Sequence, residues 1–268
     1  MPEGEFGNHM NIKNWDVGDI FFLCLKLLGV ILCVGVFAHF KAVRLPRIEM
    51  ILPEVLEEPL QQNTTKAPFL AFVEGQRYRI TPKAEYRLRG LVVATHDSAF
   101  MDITHAAAKD FINTHDICVL WGDNATSPYL RDMKFTHGDW TCYFQTQSQE
   151  AWKSFSKSKI SNNHLLPSNA EIEKVIASAR IGDQIELAGS LVDYTMPEGG
   201  VRKTSLSRDD VENGACEIIY VTQAKILSRG SPFWYGVRTA CQVAAAMVIA
   251  GLLFSVFILP KFSHESPK

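Results

Sequence analysis

The chain has 268 residues, 47% hydrophobic and 21% charged, with a formal net charge of -2. A chain so nearly neutral carries no basic face for phosphates, so nucleic acid is excluded as an expected partner. The length fits one domain with flanking segments.

The first ten residues, MPEGEFGNHM, read as a cloning leader ending in His-Met, and residues 1–19 are taken together as leader and tail. Ile20 to Phe40 then reads IFFLCLKLLGVILCVGVFAHF. About 20 apolar residues are the length a helix needs to cross a hydrocarbon core of ~30 Å. A signal peptide is the competing reading. It has a shorter apolar region and a small-residue cleavage site, where this chain instead has His39, Phe40, Lys41 and Arg44. Residues 41–67 hold three prolines, an acidic cluster and a polar stretch, and are expected to form an extended tether.

The globular part is expected over 68–229. FLAFVEGQRYRITP reads as strand, Glu-Gly turn, strand. EYRLRGLVVATHD continues as a strand with Gly90 at its centre, the mark of a bulge or tight bend. Met101 to Asn113 is expected to be a short helix. DICVLWGD and DWTCYFQT are strand-like, being rich in aromatic and β-branched residues. Ser168-Asn169 caps a helix with Ile172, Val175, Ile176 and Ala179 on one face. IGDQIELAGSLVDY and ACEIIYVTQAKIL are expected as antiparallel neighbours, with Ile185, Leu187, Ile218 and Tyr220 facing inward. A second apolar run, Thr239 to Leu259, predicts a second transmembrane helix, and residues 260–268 form a tail.

The fold class expected is mainly β with short helices: a small OB-like Greek-key barrel between two transmembrane helices. SNNHLLP, IGDQIELAGSLVDY and NGACEIIYV together resemble uncharacterised bacterial membrane-anchored proteins with an OB-like core, over roughly residues 78–228 and the flanking spans. That resemblance implies a bacterial inner-membrane location and supplies no catalytic residue.

Lys41, Arg44, Arg47, Lys225, Arg229 and Arg238 flank the spans on the domain side, against Lys13, Lys261 and Lys268 on the side of the termini. The positive-inside rule therefore favours a cytoplasmic domain, with both termini across the membrane from it. The cysteines bear on the same question. Cys24, Cys33 and Cys241 lie in the apolar runs, while Cys118, Cys142 and Cys216 fall in strand patterns. The latter three are expected as packed residues and not nucleophiles. One pair plus a free thiol stays open, and such a pair would argue for an oxidising compartment.

Two residue sets are candidates for chemistry. His96, Asp97, Asp102 and His105 could hold a divalent metal, joined by His115, Asp116, His137, Asp139 and His164 if the strands gather them. Arg202, Lys203, Arg208, Asp209, Asp210 and Glu217 crowd a loop that would border the binding face of an OB-type barrel. No GxSxG elbow, P-loop or GxGxxG occurs, so no catalytic residue is assigned and no cofactor beyond that metal. The asparagines of SNNHLLP are expected in a structural role in a turn. Trp121, Tyr143, Phe144 and Trp152 are expected to fill the barrel. Phe233, Trp234 and Tyr235 suit a membrane interface. The function expected is a membrane-tethered binding or accessory domain of an envelope complex, with the bilayer and a membrane or envelope protein as partners. A membrane-anchored metal-dependent hydrolase is the alternative.

Overall fold

The computed structural model describes residues 17–98, 109–138, 140–207 and 216–257. Helix α1 (Val17–Ala42) begins the described chain. Strands follow as β1 (Leu60–Asn63), β2 (Phe69–Val73), β3 (Gln76–Asp97), β4 (His115–Leu120), β5 (Lys134–His137) and β6 (Cys142–Gln145). Then come helix α2 (Gln149–Ser154), β7 (Ile160–Pro167), helix α3 (Ala170–Ala177), β8 (Gln184–Thr195), β9 (Val201–Arg202), β10 (Glu217–Ser228) and helix α4 (Pro232–Phe257). The chain divides into two units, one of residues 43–232 and one built from the two terminal helices.

In the larger unit the chain reverses between β2 and β3 at Glu74 and Gly75. Both take positive φ, the conformation that a tight two-residue hairpin turn requires. β3 is one strand of 22 residues rather than two. One of its edges pairs with β8, and the other is covered in turn by β2, β1 and β4. β4 pairs with β7, β7 with β10, and β10 with β8. The pairing path β3–β4–β7–β10–β8 thus returns to β3. Every contact along it is antiparallel except β7 with β10.

Gly90 shows why β3 can run so far. A Cβ there would strike the Val119 side chain and the Leu120 carbonyl, so only glycine lets β4 cross this close. Before Gly90 the strand buries one face, through Ala84, Tyr86 and Leu88, while Arg87 stays exposed. Beyond it both faces are buried: Val92 enters the main core and Leu91 and Val93 a second cluster.

The main core also holds Ile117, Val119, Leu165, Ile185, Leu187, Leu191, Ile219 and Val221. Helix α3 closes it with Ile172 and Ile176, joined by Ala179 just past its end, and Asn169 accepts the amides of Glu171 and Ile172 as N-cap, a contact worth about 1 kcal/mol. β8 and β10 are antiparallel neighbours, as the alternation predicts. The inward register is one residue out on β10. Ile219 and Val221 reach the main core, whereas Ile218 and Tyr220 turn to a third cluster with Tyr78, Ile80 and Tyr194.

Two further expectations are corrected, and a third falls mostly outside the described residues. Residues 101–108 of the expected helix lie outside the described residues, and 109–113 form turns. The segment after α1 does not extend away as a tether. Val55 is fully buried, Gln184 accepts from the Leu52 amide and donates to the Met50 carbonyl, and β1 joins β3. Of the four aromatics only Trp121 fills the core, with its indole N–H donated to Glu58. Tyr143 is 58% and Trp152 49% exposed, because they belong to the outlying β5–β6 hairpin and α2.

In the other unit, α1 and α4 contain apolar stretches, Phe21–Ala42 and Pro232–Phe254, long enough to cross a membrane. Only 6% of either stretch is buried, unlike the core helix of a soluble protein. The helices meet where Phe37 packs edge-on to Trp234 and Gly35 faces Cys241.

Candidate functional site

Side chains directly opposite on neighbouring strands share a face. On one face of the sheet, His96 of β3 stands opposite Asp116 of β4, and Asp116 opposite His164 of β7. One step along, Ala94, Cys118 and Asn162 form a parallel row. Glu217 pairs with Asn163, so Cys216 falls beside Asn162 and completes the second row. Since successive residues of a strand alternate faces, Asn163 and Glu217 point to the other side. There Asn163 donates to the Ile117 carbonyl and to Ser161.

His164 Nδ1 donates to Asp116 Oδ1 at 2.8 Å, and Asn113 Nδ2 donates to the same oxygen at 3.0 Å. Asp116 is fully buried, and its second oxygen has no hydrogen-bond partner among the described residues. Burial opposes charge on both groups, yet their mutual attraction prevails. The Asp116 carboxyl lies below the usual range, and His164, helped also by Cys216, is pushed up to about 10.

The β5–β6 hairpin borders this face. A disulfide joins Cys118 in the sheet to Cys142 on the hairpin. His137 Nε2 donates to Asn162 Oδ1 at 2.6 Å, and the His137 ring stacks on His96 with centroids 5.6 Å apart. Asn162 Nδ2 in turn donates to the Trp140 carbonyl at 3.1 Å and lies 3.3 Å from Cys216 Sγ. The Trp140 ring sits 6.4 Å from that of His164, and the Arg202 guanidinium lies 3.8 Å over the Trp140 ring. Arg202 also pairs with buried Asp110 at 3.2 Å, and Tyr194 donates its hydroxyl to Asp110. That carboxylate and burial drive the Tyr194 hydroxyl well above its ordinary value, burial being the larger cause.

The two expected sets are therefore brought to one end of the sheet only in part. Of the metal candidates, His96 is on the face and Asp97 lies 3.9 Å from His115, whose imidazole burial holds below its ordinary value. Asp102 and His105 lie outside the described residues, as does Asp139. Among the described residues no three His, Cys, Asp or Glu side chains are grouped as metal ligands. Of the loop candidates, Arg202 reaches the site, Lys203 is exposed and Glu217 is buried on the opposite side. Arg208, Asp209 and Asp210 lie outside the described residues.

The residues that sequence reasoning placed elsewhere are Asn162 and His164. SNNHLLP forms β7, not a turn, and its alternation sends Asn162 and His164 to the polar face. Cys216 is half-buried among polar groups rather than packed in a core. No protein-family model matches the chain, and no curated protein or solved structure is similar to it.

Proposed function

We propose that the protein is a membrane-tethered binding domain, an accessory to an envelope complex, that receives its partner across the face of β4, β7 and β10. The observation that carries this reading is the polar array Asp116–His164–Asn162–Cys216 beside the Trp140–Arg202 stack. Five strands whose pairing returns on itself, with α3 between the third and fourth, support a Greek-key barrel of OB type. In such barrels the second and third strands, here β4 and β7, and the loops after the first and fourth form the binding face. The exposed apolar helices α1 and α4 support anchoring in a bilayer, and we assign it to the bacterial inner membrane.

The Cys118–Cys142 disulfide supports a domain on the oxidising side, against the lean of the flanking positive charge. We weight the disulfide more heavily, because so small a count of flanking charges orients weakly. A metal-dependent hydrolase is the second reading. It rests on His96 beside Asp116 and stacked on His137, and it requires stoichiometric zinc or manganese in the purified protein.

Photocross-linking in native membranes tests the binding reading. A photoreactive residue at Tyr143, beside the face, gives a discrete adduct that Trp140→Ala abolishes. The same probe at Gln62 on β1 gives none. Absence of an adduct at position 143, or equal adducts at both positions, overturns it.

A further inference from the structure

We propose that the outer face of the β2–β3 hairpin docks on an anionic lipid surface, its apolar side chains entering among the headgroups and its arginines meeting their phosphates. β2 is apolar at every position, FLAFV. Phe69, Ala71 and Val73 pack on the third core cluster, where Phe69 meets Tyr220 edge-on with centroids 5.0 Å apart. Leu70 and Phe72 therefore point the other way, 52% and 70% exposed. An antiparallel strand with one solvated face ordinarily carries polar residues on it, so large apolar side chains there mark a contact surface.

Register extends this face across four strands. Leu70 stands opposite Arg79 of β3, Arg79 opposite Thr195 of β8, and Thr195 opposite Val201 of β9, which is 55% exposed. Phe72 opposite Arg77 forms the next row. At ordinary strand spacings the two rows span about 14 Å by 7 Å. Both arginines are exposed, and among the described residues neither meets a carboxylate. The acids of nearby segments are engaged: Asp193 lies 3.6 Å from Lys83, and Glu198 lies 2.8 Å from Lys109. Glu74, in the hairpin turn, is the one further acid beside these rows in sequence.

This composition fits a bilayer better than a protein. A guanidinium forks onto phosphate oxygens while its stem lies along apolar groups. Leucine, phenylalanine and valine beside it suit the boundary between headgroups and acyl chains. A protein interface of ordinary stability takes about 20–30 residues a side, far more than this strip offers. A domain already joined to a membrane needs only a weak contact, because the tether makes docking intramolecular. The inference rests on the anchoring through α1 and α4 proposed above, and not on the partner face.

The full chain, reconstituted in vesicles, tests it with a photoreactive benzoylphenylalanine in place of Phe72. In phosphatidylcholine with about one quarter phosphatidylglycerol, irradiation is expected to leave a phospholipid mass on the peptide holding position 72. The same probe at Tyr143 leaves none. Phosphatidylcholine alone, or salt at about 1 M, cuts the adduct at position 72 at least about fivefold. Arg77→Gln with Arg79→Gln does the same at an unchanged unfolding midpoint, since both side chains are exposed and lack acidic partners. No lipid adduct, equal adducts at 72 and 143, or adducts indifferent to lipid charge and to both arginines overturn the proposal. So does a discrete protein adduct at 72 in native membranes, which would give the face to a partner or a second copy. Carbonate extraction of native membranes separates the two failures. A chain released by carbonate loses its anchor and this face with it, whereas a retained chain without the adduct loses only the lipid face.

Discussion

His164 on β7 and Asp116 on β4 stand opposite each other, with Nδ1 and Oδ1 2.8 Å apart, and the carboxylate is closed to solvent. A buried ion pair of this kind is weak evidence for stability by itself, because removing both charges from water costs much of what their attraction returns. Breaking it from one side is costly, since the remaining group keeps its burial and loses its partner.

The pair gives the domain a defined pH response. A histidine raised to about 10 stabilises the folded chain fully below its unfolded value near 6.5, and that contribution is lost as pH climbs through 10. Thermal unfolding of the full chain should therefore fall by several degrees between about pH 7 and 10. His164→Gln should flatten this slope and lower stability by about 3 kcal/mol near pH 7. A slope unchanged in the variant would place its origin in other groups.

Reduction should loosen the β5–β6 hairpin. The Cys118–Cys142 link closes a loop of 24 residues in sequence, which the chain-entropy account values at about 3 kcal/mol. Dithiothreitol should lower the unfolding midpoint. In denatured protein from native membranes, alkylation should tag Cys118 and Cys142 only after reduction. Free thiols at both positions before reduction would return the domain to the cytoplasmic side.

Gly90→Ala should destabilise the fold by about 2 kcal/mol, because its Cβ meets the Leu120 carbonyl, which cannot withdraw without disturbing the β3–β4 pairing. Denaturant titration reads this directly. A change under 0.5 kcal/mol would mean that the strands separate freely here.

Arg202→Ala removes a charged partner of buried Asp110 and the cation over Trp140, and should cost about 1–3 kcal/mol. Arg202→Lys should restore only part, because an ammonium cannot stack flat on the indole. Full rescue by lysine would show that charge alone matters there.

Much of the architecture was legible because it depends on local pattern. The apolar runs give α1 and α4, the Glu74-Gly75 turn gives the β2–β3 hairpin, and Asn169 starts α3. The site was harder to read because it is assembled across strands. His164 and Asp116 are 48 residues apart, and nothing in SNNHLLP states which strand lies beside it. Two asparagines before a histidine look like a turn by composition. Their pairing with Cys118 and Ile117 side by side makes them a strand. Cys216 reads as packed for a related reason: Ile218 to Val221 just after it are apolar, while its own neighbours, Asn162 and Trp140, come from distant segments.

The place of β10 in the ring has a consequence for how the chain is made. β10 lies between β7 and β8, and among the described strands it is the last to be synthesised. Until it emerges, β7 and β8 each present an unpaired edge, the kind of surface on which nascent chains associate wrongly. Pro232 and α4 follow Ser228 within a few residues, so the ribosome delivers the closing strand and the second apolar helix almost together. Cys216 therefore reaches Asn162 only after β7 and β8 have both been made, and a chain truncated before β10 carries the Asp116–His164 pair on an open edge.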